Sequence, residues 1–192
     1  MSSKTMIFAG WLAMISAFVS IPLVYLSYRL EGRSDATAVS IQAVMQFAGT
    51  LLFVALLLYF RKLLHERFMF HDTDRSIGLL IKAGVAAGVL TLLSLYVTPL
   101  KETSALAVVV ILVAQGIVQV QFGYKLLRLP HDLDGMLKPF CYANMATGIM
   151  IASVVLIPVG VLASAIADLM LGTIFFNIAR RLKAPAPDRT AP

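Results

Sequence analysis

The chain has 192 residues, of which 59% are hydrophobic and only 14% charged, and its mean hydropathy is +0.87. A soluble domain of this length carries an apolar share of about half, so the composition excludes a water-soluble globular protein and points to one whose surroundings are the lipid bilayer. The net charge of +6 does not indicate nucleic acid, because the Lys and Arg residues punctuate apolar runs instead of gathering into a patch.

Residues 6–28 are uncharged and exceed the ~20 residues that cross a ~30 Å hydrocarbon core, so they are the first predicted span. The run is too long for the core of a signal peptide, and Trp11, Tyr25 and Tyr28 near its ends suit the membrane interfaces. A second span over 37–60 stops at Arg61-Lys62. The third, 76–98, contains Lys82 and a Gly84-Val-Ala-Ala-Gly88 pattern that permits close helix approach. The fourth covers 104–124. From Pro139 to Ala179 the chain holds 41 residues with one charge, twice a span, and Pro158-Val-Gly160 predicts a tight turn between a fifth span, 139–157, and a sixth, 161–179. Residues 1–182 thus form one six-helix transmembrane bundle. Residues 183–192, rich in Pro and Ala, are expected to be a disordered tail.

Six spans place both termini on one side. That side collects Lys4, Arg61, Lys62, Arg67, Arg75, Lys125, Arg128, Lys138, Arg180, Arg181, Lys183 and Arg189, against Arg29, Arg33 and Lys101 on the other. Lys and Arg resist translocation, so both termini are expected in the cytoplasm of a cell with the protein in its inner membrane.

Two similar turns lie on the terminal side, His71-Asp72-Thr-Asp74 and His131-Asp132-Leu-Asp134. Aligning them also pairs Ala83 with Ala143 and Gly88 with Gly148, which suggests a parallel internal repeat of helices two and three in four and five. An Asp two residues from another, with a His, offers hard ligands to a divalent ion. The simpler expectation is that these carboxylates cap helices three and five, and no metal or other cofactor is expected.

Asp168 is the lone acid inside a predicted span, seven residues past Val161 and about 11 Å into the layer. A carboxylate there is costly and signals function unless it serves as hydrogen-bonding glue. Ser164 and Gly172 share its face at i−4 and i+4. Gln42 with Gln46, Gln115 with Gln119, and Asn144 with Thr147 are likewise paired on single helix faces. Such amides either knit helices together or line a wet path. Gly84, Gly88, Gly148 and Gly172 are expected at helix contacts.

No GxSxG, HExxH, CxxC, Walker loop or GxGxxG occurs, the single Cys141 allows no internal disulfide, and all three His lie outside the spans. A non-enzymatic protein is therefore expected. The first expectation is an accessory, assembly or sensing component working through helix contacts with a membrane-protein partner or a second copy of itself. The alternative is a small transporter or channel for a solute, ion or proton, with Asp168 near the midplane. A lipid-headgroup enzyme with a metal at the two acidic turns is the third.

Overall fold

The computed structural model describes residues 2–30, 35–97 and 101–183, the side chains of 101–103 apart. The chain is all-α, with α1 (Ser3–Leu30), α2 (Ala36–Phe68), α3 (Asp74–Tyr96), α4 (Lys101–Leu126), α5 (Leu137–Ala152) and α6 (Ile157–Lys183), and no strand among the described residues. All but α5 contain stretches long and apolar enough to cross a membrane, as a multi-pass protein requires. The tail expected to be disordered lies outside the described residues, except Lys183, which ends α6.

Several helix limits differ from the predicted ones, each for a local reason. α2 continues well beyond Arg61, because charge ends a membrane span without ending a helix: Lys and Glu are good helix formers, and Lys62 pairs with Glu66 one turn on at 3.6 Å. It stops at Met69, whose left-handed backbone (φ 49°) returns its N–H to the Leu64 carbonyl. Its other end is fixed by Asp35, which accepts the N–H of Ala38 at 3.2 Å.

The turn expected at Pro158-Val-Gly160 falls instead at residues 153–156. Pro158 then occupies the first turn of α6, where its missing N–H costs nothing. The Ser153 N–H reaches the Ile149 carbonyl (3.0 Å), that of Val154 reaches Ile151 (3.1 Å), and that of Leu156 reaches the Ser153 hydroxyl (3.3 Å). The fifth predicted span is accordingly corrected to a helix of 16 residues, about 24 Å long.

Each helix packs on its neighbours in the chain, and α6 closes back on α1, so the six form a ring. Ser3 Oγ donates to the Ala179 carbonyl (3.2 Å) at the end carrying the termini, and Gln42 Nε2 donates to the Leu30 carbonyl (2.7 Å) at the far end. Apolar helices gain little by leaving lipid for one another, so small residues that permit backbone contact hold such a ring. Gly116 and Gly148 bring α4 and α5 together: a Cβ on Gly148 would stand 2.6 Å from the Gly116 carbonyl oxygen. Gly172 lies over the Gly10 carbonyl of α1, while Gly84 and Gly88 accommodate Phe53 and Thr50 of α2. Large apolar side chains such as Phe18, Phe47 and Leu106 are exposed, as a lipid-facing surface requires.

Candidate functional site

The middle of the ring is not filled. A cavity of about 210 Å³ is lined from all six helices: Ser16 and Ser20 of α1, Gly49 and Phe60 of α2, Leu80 of α3, Gln119 and Phe122 of α4, Phe140 and Asn144 of α5, and Ser164 and Asp168 of α6. Against about 30 Å³ per water in the liquid, that is room for several waters or a small solute.

Asp168 is the one charged residue in this lining. Ser16 Oγ donates to its Oδ2 at 2.8 Å, and the Ser20 hydroxyl turns back to the Ser16 carbonyl at 2.5 Å. The expected neighbour Ser164 lines the same cavity. No Lys, Arg or His does, so an ionised Asp168 has no balancing protein charge there. The ion pairs among the described residues all lie at the terminal end of the ring. Nearer that end, Asn144 donates to the Phe140 carbonyl (2.9 Å) and accepts a long bond from Gln119 Nε2 (3.4 Å).

A second cavity, about 440 Å³, shares Ser20, Leu23 and Gly49 with the first and continues toward the far end past Ser27, Gln42, Gln46, Thr50 and Thr91. Gln42 and Gln46 are thus brought to the same interior as Asp168, joined by hydroxyls that the sequence did not single out. Gln115 is half-buried but lines neither cavity. Toward the terminal end the interior closes on aromatic rings. Phe60 packs against Phe122 (centroids 6.0 Å apart) and Phe140 (5.5 Å), all three buried, above a core of Leu63, Leu64, Ile77, Leu126, Ile174 and Phe175.

The two acidic turns are built differently. In the first, Asp74 opens α3 and receives Arg61 Nε (3.1 Å) and His65 Nε2 (2.5 Å) on Oδ1, with His71 Nδ1 3.6 Å from Oδ2. Asp74 sits ahead of the apolar part of its helix. Burial works against its charge, yet the bonds from His65 and Arg61 outweigh burial and hold the carboxyl below its ordinary value. In the second, Asp134 is left-handed (φ 62°) within a single 3-10 turn, Leu133–Gly135, and pairs with Arg181, while His131 packs on Phe68.

Neither turn caps a helix with its carboxylates, which corrects that expectation. The residues before α3 and α5 are Thr73 and Met136, and neither makes a side-chain capping bond. Asp74 and Asp134 are held instead by Arg61 and Arg181, which offer a stronger, charge-assisted partner than a backbone N–H. Asp72 and Asp132 are exposed.

Comparison with protein families, with characterised proteins and with solved structures gave no match to this chain, so the ring's geometry alone carries the functional reading.

Proposed function

We propose that the protein is a small membrane transporter or channel that takes a proton or small cation into the ring and holds it at Asp168. The observation that carries this reading is the interior carboxylate on a cavity with no positive side chain in its lining. An acid serving only as glue needs partners on every oxygen and gains nothing from open space beside it. Here one hydroxyl donates, and the remaining space is large enough for a proton-bearing water or a bare cation.

The hydroxyls and amides along the second cavity supply a route from the far end, and the Phe60, Phe122 and Phe140 rings supply a closure toward the terminal end. With the Lys- and Arg-rich end in the cytoplasm of a bacterial inner membrane, the cation enters from outside and release inward requires these rings to part.

The test is flux in proteoliposomes. Purified protein should dissipate an imposed proton or alkali-cation gradient, and Asp168→Asn, which keeps shape and removes charge, should abolish that flux. Wild-type flux in Asp168→Asn, or none from the wild type, defeats the proposal. A role through helix contacts in a larger complex would then remain.

A further inference from the structure

The proposed path makes no use of three side chains at the terminal end. His65 stands on the part of α2 beyond its apolar stretch, His71 in the turn that follows, and Asp74 in the first turn of α3. One ligand atom from each lies within 4.8 Å of the others, and the two imidazole rings meet edge to face at 4.3 Å.

We propose that His65, His71 and Asp74 bind one divalent transition ion of the zinc type. Two imidazole nitrogens and a carboxylate oxygen form a donor set that such an ion accepts as three protein ligands, with water in the fourth position. Calcium and magnesium prefer all-oxygen sets and are disfavoured by it.

The distances decide how much must move. Metal bonds of about 2.0–2.1 Å in tetrahedral array put ligand atoms roughly 3.3 Å apart. His71 Nδ1 and Asp74 Oδ2, the oxygen offered to the ion, are already 3.6 Å apart, while His65 Nε2 is bonded to the other oxygen, Oδ1, at 2.5 Å and must give up that bond to face the ion. With the three ligand atoms within 4.8 Å of one another, shifts of roughly 1–1.5 Å complete the site, and His71, which is exposed, has the freedom to make most of them.

Arg61 keeps Oδ1 and orients the carboxylate from behind, leaving Oδ2 toward His71. Its guanidinium repels the ion, but it is partly exposed to solvent, and its charge is already balanced by the Asp74 carboxylate it pairs with. The second turn offers no such site, because Arg181 holds Asp134 and His131 packs on Phe68. One ion per chain follows. Bound there, it ties the end of α2 to the start of α3.

Calorimetric titration of the full-length protein in detergent, with its tag cleaved and after EDTA treatment, tests the site. Zinc chloride should bind saturably at one ion per chain, and magnesium chloride should neither bind nor compete. Since loss of a mere outer-shell partner costs about 10–100-fold, His71→Ala and His65→Ala should each weaken zinc at least tenfold. His131→Ala should bind as the wild type does. Cobalt should add a visible absorption band that His71→Ala removes. Absence of saturable zinc binding, or an unchanged affinity in His71→Ala, overturns the proposal. His71 is exposed, so that variant should fold, which its elution profile verifies.

Discussion

The contact between α4 and α5 gives a sharp test of the packing, because one chemical change should have opposite signs at two glycines. In Gly148→Ala the new methyl meets the Gly116 carbonyl oxygen at 2.6 Å, Val120 Cγ2 at 2.9 Å and the Val120 nitrogen at 3.0 Å. Two of these are backbone atoms, which cannot rotate away, so the helices must separate. Overpacking of this kind costs about 1–3 kcal/mol. The rigidity of the neighbours argues for the upper half, about 2–3 kcal/mol.

In Gly78→Ala nothing lies within 4 Å of the new methyl. The same substitution there removes only backbone freedom, and is neutral to about 1 kcal/mol stabilising. Thermal unfolding in a fixed detergent reads both. At about 2–4 °C per kcal/mol for a chain of this size, Gly148→Ala should melt roughly 4–12 °C below the wild type and Gly78→Ala at or slightly above it. Equal melting temperatures for the two variants would refute the backbone contact between α4 and α5.

Further outcomes follow from the same geometry. Phe60→Ala removes the ring that meets both Phe122 and Phe140; it should cost about 3–5 kcal/mol in stability and raise passive leak in proteoliposomes. Cys141 is fully buried, so a thiol reagent should label it only after denaturation, as mass spectrometry of the intact chain would read. Gln42→Leu deletes the bond to the Leu30 carbonyl, and within a membrane such a bond is worth only about 0.6 kcal/mol; a melting shift beyond roughly 3 °C would show that more than this bond was lost. Arg181→Ala should change stability by under about 1 kcal/mol, because an ion pair with so exposed an arginine is largely screened.

The helical spans were legible because hydropathy sums over some twenty residues and survives local error. Asp168 was legible for a related reason: the one charged residue in a stretch of 41 needs no structure to be noticed. Its partner was not. Ser16 lies 152 residues away, and a serine hydroxyl can satisfy itself on its own helix, as Ser20 does, so nothing in a span marks which serine faces inward.

The closing of α6 on α1 was equally hidden, since small residues occur on many faces of an apolar helix and only packing selects among them. Helix ends misled wherever charge was taken for a terminator. Arg61 and Lys62 end the apolar stretch of α2 and leave its backbone free to continue, which carries His65 to Asp74. The two turns share letters but differ in outcome, because the arginine each acid meets comes from elsewhere in the chain: Arg61 for Asp74, Arg181 for Asp134.

The shortness of α5 bears on the membrane itself. As a sixth span it would fall about 6 Å short of a ~30 Å hydrocarbon layer and would leave the apolar and highly exposed Val155 below the lipid headgroups, or else draw the leaflet down toward it. The turn tolerates either, because its amide hydrogens are already donated within the chain and demand no water. A thinner bilayer therefore relieves this corner of the ring and a thicker one strains it. Acyl-chain length becomes a variable to which this protein should respond.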